Sequence, residues 1–187
     1  NKDIVLWPDG ISTKIFHKNI KKIPGYKLID NIDFKKFNKI IVFGNLLEPE
    51  KEYLKKKHHR SVEFIQLPIF SYRLIENLDL NLDSIEKNDI ILITLPTPKQ
   101  ELLAGIIREK KPNTLIVCVG GGISIASGRI PQCPDFLDKL GLESLWRLQD
   151  DTIRRIKRIS VSIYYATQFF IFRNKETLIL KIFEKKN

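Results

Sequence analysis

The chain has 187 residues, a formal net charge of +10 and 43% hydrophobic residues. That apolar content supports a packed core and excludes a disordered polar chain, and nine glycines with nine prolines exclude collagen-like and low-complexity classes. No apolar run approaches the roughly 20 residues that cross a bilayer, and the first residues carry no signal-peptide pattern.

Residues 3–7 (DIVLW) are a predicted strand that runs into the turn signal Pro8-Asp9-Gly10. A second predicted strand, 39–43, closes on Gly44-Asn45, and residues 46–57 follow as a helix with a charged face. Residues 62–67 form a third strand. Residues 89–95 (DIILITL) form a fourth, so uniformly apolar that burial on both faces is expected. Residues 98–110 have helical spacing, with Pro98 in the first turn where its missing N–H costs least. A fifth strand, 114–119, is expected to be buried and ends in Gly120-Gly121-Gly122; short helices over 135–140 and 142–148 are separated by Gly141.

Strands alternating with helices predict an α/β fold: a Rossmann-like, mostly parallel sheet flanked by helices, with a basic helical C-terminal appendage. The core is expected over residues 1–150 and the basic, aromatic appendage over 151–187. The appendage holds nine basic and three acidic residues, hence six of the ten net positive charges. Within it, residues 160–172 (SVSIYYATQFFIF) are apolar and aromatic but too short to span a bilayer. That stretch reads either as a segment lying on an anionic membrane surface or as a last helix packed on the core.

Two cysteines, Cys118 and Cys133, make no disulfide framework and point to a reducing compartment. With His17, His58 and His59 they form no zinc-type spacing. The pairs Asp30/Asp33 and Asp79/Asp83 are spaced wrongly for a D-x-D metal site, so no metal cofactor is expected. His58-His59 sits in a basic run and is given no function.

In parallel sheets, ligands bind at the carboxyl ends of the strands. The glycines 120–122 follow a strand, as a phosphate-cradling turn would, or as any tight turn would. They form neither a P-loop nor a dinucleotide fingerprint, since five residues separate Gly122 from Gly128 and Arg129-Ile130 follows. Asp9 is either a base for a sugar hydroxyl or an Asp bonded to its own turn. Gln100 can point an amide into the strand-end crevice, while Glu101 suits the positive end of its helix. Arg147, Arg154 and Arg158 fall on roughly one face of a continuing helix, beside Arg155. Such a face suits a diphosphate or is simply solvated.

Several of these pieces occur together in an order that resembles one family. They are Pro98-Lys99-Gln100-Glu101, Val119-Gly120-Gly121 with Gly128, Gly141-Leu142-Glu143 with Arg147-Leu148, and Arg154-Arg155 with Arg158, preceded by Asp9-Gly10. The run over residues 97–158 resembles the WecG/TagA/CpsF family of bacterial glycosyltransferases. The resemblance implies an inverting, metal-independent transfer of a sugar from a UDP-sugar to a lipid-diphosphate-linked acceptor. The setting would be the inner face of the cell membrane, in the synthesis of a surface polysaccharide or teichoic-acid-type polymer. It implies Asp9 as the general base, Gln100 lining the sugar pocket, and Gly120, Gly121 and Gly122 facing the nucleotide. Arg147, Arg154, Arg155 and Arg158 would neutralise the diphosphate and help dock the lipid.

The chain departs from the family in having Gly122-Ile123-Ser124 where Phe-Asp is usual, and Gln132-Cys133-Pro134 for Arg-Ala-Pro. With no methionine and Asn at position 1, part of the core, including a Thr/Asn pocket segment, is expected to precede this sequence. The alternative reading is a diverged, non-catalytic protein that binds a nucleotide sugar or a membrane partner. A nucleic-acid partner is not expected, because the charge comes with no nucleic-acid motif.

Overall fold

The structure is a computed structural model that describes residues 23–57, 61–68 and 80–140, with single positions 5, 75, 78, 142, 146, 156, 160, 161, 163, 164 and 167. Four strands, β1 (Ile40–Phe43), β2 (Val62–Ile65), β3 (Ile90–Ile93) and β4 (Leu115–Cys118), form a wholly parallel sheet in the order β2-β1-β3-β4. Register is continuous across it: Phe43 pairs with Ile65 and Ile93, and Ile93 pairs with Cys118. All four strands therefore end in one row. The fold is the α/β, Rossmann-like architecture expected.

β1 and β3 are central and every residue in them is buried. That is why both read as unbroken apolar runs rather than alternating ones. Successive side chains go to opposite faces. Ile40, Val42, Ile90 and Leu92 enter one core with Ile29, Leu54 and Ile123; Ile41, Phe43, Ile91 and Ile93 enter the other with Leu67, Leu103 and Ile107. Each such side chain is worth about 1.5–3 kcal/mol when fully buried. β4 lies at the edge of the described sheet, with Leu115 exposed and the other three residues partly buried. The expectation of a fully buried fifth strand is corrected accordingly: an edge strand keeps one side open whatever its apolar content.

The first core is covered by α1 (Gly25–Asn31), α2 (Glu48–Lys57) and α4 (Gly122–Ala126); the second is covered by α3 (Lys99–Lys110). Helix α2, which follows β1, thus lies on the opposite face from α3, which follows β3. Two α-helices among the described residues were not foreseen, α1 and α4, each short and each containing glycine. They meet at a close approach: a Cβ on Gly122 would lie 3.1 Å from the Gly25 carbonyl carbon and 3.2 Å from the Tyr26 nitrogen. The glycine therefore brings two backbones together.

The chain divides into two compact units, Asn1–Gln132 and Cys133–Asn187. In the second, α5 (Asp135–Lys139) is followed by bonds from the Leu142 N–H to the Leu137 carbonyl (2.8 Å) and from the Trp146 N–H to the Leu142 carbonyl (3.0 Å). Its described apolar side chains Phe136, Leu140, Ile156, Val161, Ile163 and Tyr164 are exposed. Of the predicted first strand only Val5 is described; it is exposed and belongs to no strand.

Candidate functional site

The chain leaves β1 toward β2 on one side and returns to β3 on the other. The order therefore reverses between β1 and β3, the switch point beyond whose strand ends sheets of this kind form their ligand crevice. Gly44 closes β1 with φ +139°, a conformation L side chains rarely adopt, and a Cβ there would overlap the Thr94 hydroxyl. Thr94, directly after β3, donates its backbone N–H (3.0 Å) and its hydroxyl (3.2 Å) to the Phe43 carbonyl. Asn45 fixes the loop after β2 by donating to the Leu67 carbonyl (2.9 Å) and accepting from the Leu67 N–H (3.1 Å). The floor of the crevice is thus pinned on both sides of the switch point.

Its next wall comes from the start of α3. Gln100 lies in the first turn, where its Nε2 donates to the Thr97 hydroxyl (3.2 Å) and to Glu101 Oε1 (2.8 Å). Thr97 donates to the same Glu101 oxygen (2.9 Å). The amide is therefore held in one orientation, with Nε2 on the Thr97–Glu101 side. Gln100 Oε1 is buried and has no hydrogen-bond partner among the described residues. It faces Gly120, whose absent Cβ would sit 3.6 Å away; Gly120 has φ +49°. A buried acceptor without a donor is costly, by about 1–3 kcal/mol, and such groups mark places where a ligand or water supplies the bond.

The glycine run does not act as a single open loop. Gly120 donates its N–H to the Ile93 carbonyl (3.2 Å) and Gly122 to the Val119 carbonyl (2.9 Å). Gly122 is buried in the α1–α4 contact, whereas Gly121 is exposed with open space around it. Cys118, just before the run, donates to the Gln100 carbonyl (3.6 Å). Burial, with Glu101 nearby, pushes its thiol up to about 11, so it stays protonated and is a poor nucleophile.

A third constellation was not foreseen. Glu50, almost wholly buried, accepts from the Ser124 hydroxyl and from the Leu47 N–H (2.7 Å) and forms an ion pair with Arg129 Nε (3.0 Å). Burial alone raises a carboxyl pKa. Here the Ser124, Leu47 and Arg129 bonds outweigh it and hold Glu50 below the usual glutamate range. The bond to Leu47 is half of a capping box, with Glu at the third helical position reaching back to the residue before the helix. The usual Ser or Thr partner is absent from Leu47, so the sequence pattern did not flag it. Arg129 stood out only as a residue that spoils a P-loop.

Of the expected site residues, the structure brings Gln100 and Gly120 into one crevice, with Gly121 and Gly122 directly following. Asp9, Arg147, Arg154, Arg155 and Arg158 lie outside the described residues. Among the described residues no three His, Cys, Asp or Glu side chains cluster as metal ligands would, and no helix is long and apolar enough to cross a membrane.

The model of the glycosyl transferase WecG/TagA/CpsF family matches residues 82–178, just over half of the chain. The chain belongs to this family. Membership implies glycosyl transfer in cell-surface polysaccharide synthesis, with a nucleotide-sugar donor and a glycan acceptor. The WecG/TagA/CpsF match takes in β3, α3, β4 and α4, and so the Gln100–Gly120 pair and Arg129. Gly44 and Glu50, which complete the crevice floor and the buried network, come from the chain before it.

Proposed function

We propose that this protein is an inverting glycosyltransferase that moves a sugar from a UDP-sugar onto a lipid-diphosphate-linked acceptor at the membrane surface, without a metal. The observation that carries the reading is the Gln100–Gly120 pair. It is a buried, unpaired acceptor beside a glycine, at the carboxyl edge of a parallel sheet and inside the family match. Gln100 Oε1 would accept from a hydroxyl of the donor sugar, and the exposed Gly121 N–H would point at the nucleotide's phosphates.

In this reading Asp9 takes the proton from an acceptor hydroxyl. That oxygen attacks the anomeric carbon as the bond to the diphosphate breaks, and the electron pair leaves with UDP. Negative charge grows on the leaving group, and Arg147, Arg154, Arg155 and Arg158 would stabilise it. The basic, aromatic appendage would hold the protein on the anionic leaflet that carries the acceptor.

Release of UDP from UDP-sugars in the presence of a lipid-diphosphate acceptor tests the reading. A positioned general base contributes about 10²–10⁴ in rate, so Asp9→Asn should lower turnover by that factor and leave UDP binding nearly intact. Full turnover in Asp9→Asn removes the base assignment. UDP binding with no transfer from any UDP-sugar leaves the non-catalytic binder instead.

A further inference from the structure

The first turns of α2 and α4 both stand at the carboxyl edge of the sheet, because each helix follows its strand within a few residues: β1 ends at Phe43 and α2 begins at Glu48, while β4 ends at Cys118 and α4 begins at Gly122. Glu50 and Ser124 each occupy the third position of their helix, and their side chains meet there. Arg129 returns to that contact after the turn at Gly128 and meets both partners: Nε forms an ion pair with Glu50 Oε1 (3.0 Å) and Nη2 donates to Ser124 Oγ (2.8 Å). One edge of the guanidinium is therefore fixed between two helix starts on the side of the sheet where the crevice opens.

The other edge is open. Nη1 has no partner among the described residues, and the Arg129 side chain keeps 33% of its exposure. A purely structural Arg–Glu pair tends to be bidentate. Here the two carboxylate oxygens are divided: Glu50 Oε1 meets Arg129, while Oε2 takes the Leu47 N–H (2.7 Å). The Glu50 charge is also shared with the Ser124 hydroxyl and that amide, so it orients the guanidinium without fully spending its attraction for another anion. Lys39, Arg108 and Lys111 belong to the opposite edge, where they hold Glu63 and the carbonyls of Pro112 and Ile85.

We propose that Arg129 binds the diphosphate of the nucleotide-sugar donor, and that Glu50 is the positioning residue that holds Arg129 toward it. This rests on the donor reading above. A planar fork with one edge locked and one edge free matches two phosphate oxygens, and its locked edge removes the rotamer entropy that a free arginine loses on binding. The assignment adds a cation from the sheet unit to those expected from the appendage.

The test measures UDP binding by calorimetry and uridine binding by ligand-observed NMR, on the protein and its variants. Failure of the unaltered protein to bind UDP overturns the donor reading, and this inference with it. If it binds, Arg129→Gln should weaken UDP by roughly 10- to 100-fold, the range of a lost charge-assisted bond, with uridine unchanged. Glu50→Gln should weaken UDP by about 3- to 10-fold, again sparing uridine, and Arg129→Lys should fall between the unaltered protein and Arg129→Gln. Equal UDP affinity in Arg129→Gln, or equal loss of UDP and uridine, overturns the inference. If Arg129→Gln does not fold, arginine-selective dicarbonyl labelling of the unaltered protein decides: UDP but not uridine should slow labelling at Arg129 several-fold, and unchanged labelling sinks the assignment.

Discussion

Helix α2 carries two carboxylate networks, one near each end, and they differ in nearly everything except chemistry. At its start, Glu50 is buried and joins α2 to α4 through Ser124 and Arg129. Toward its end, Tyr53 and Lys57 reach Asp30 on α1, at 2.6 and 2.8 Å, in a pair where Asp30 keeps 49% and Lys57 27% of side-chain exposure. Gly122 supplies the third seam of this layer, between α1 and α4. The three helices are thus tied pairwise by a buried ion pair, an exposed ion pair and a close backbone approach. Geometry alone ranks the exposed pair with the buried one. Solvation separates them: a buried charge whose partner is removed has nothing to fall back on, whereas an exposed one turns to water.

The largest expected effect breaks the buried side of that contrast. Glu50→Ala strands the Ser124 hydroxyl, the Leu47 N–H and Arg129 together. Breaking a buried pair costs about 3–5 kcal/mol; because Arg129 is one-third exposed and can partly rehydrate, a loss near ~3 kcal/mol is expected in chemical denaturation. A loss under about 1 kcal/mol would place Glu50 with the surface pairs. The pH response follows in sign. Glu50 has its pKa lowered in the fold, so its contribution is full above the unfolded glutamate value of about 4.3 and disappears as pH falls through the lower folded value. Acidification below that point should cost the unaltered protein stability that Glu50→Gln does not lose.

A smaller effect is expected at the glycine seam. Gly122→Ala would bring a Cβ to 3.1–3.2 Å from Gly25, Tyr26 and Ile29, two of those contacts being backbone. Overpacking of this kind costs typically about 1–3 kcal/mol, read as a lowered denaturation midpoint. Because α4 carries Ser124, the same substitution should couple to Glu50→Ala in a double-mutant cycle, whereas a surface substitution on α3 should add independently. Simple additivity of Gly122→Ala and Glu50→Ala would show that the helices move as separate bodies.

The elements that bury apolar runs were legible in the sequence. β1, β2, β3, β4, α2, α3 and α5 fall within the predicted segments, because the period and continuity of hydrophobic residues reflect burial directly. What escaped was encoded in contacts. α1 and α4 are short, and they are held by Ile29 and Ile123 in the first core and by the close approach of Gly122 to Gly25 rather than by propensity. Edge position of β4 is a property of the sheet, so its apolar residues could not announce it. In the site, Gln100 and Gly120 were found because each sits at a strand or helix end, where position itself suggests a ligand. Ser124 and Arg129 lie 74 and 79 residues along the chain from Glu50, and no local pattern links the three.

The exposed network gives the smallest effect and the sharpest control. Asp30→Asn keeps size and removes the charge, and it should cost less than about 1 kcal/mol, as exposed ion pairs do. Tyr53→Phe removes one neutral donor to the same carboxylate and should cost about 1 kcal/mol or less. The Tyr53 hydroxyl remains protonated at working pH, since burial and the Asp30 charge both push its pKa up, so it acts as a donor throughout. Salt then separates the two ends of α2. At 1 M salt the screening length is about 3 Å. That is enough to erase most of the Asp30→Asn penalty at an exposed site while leaving the Glu50→Ala penalty nearly whole. If both penalties shrink alike with salt, Glu50 is reached by solvent as freely as Asp30, and the fixed orientation of Arg129 loses its physical basis.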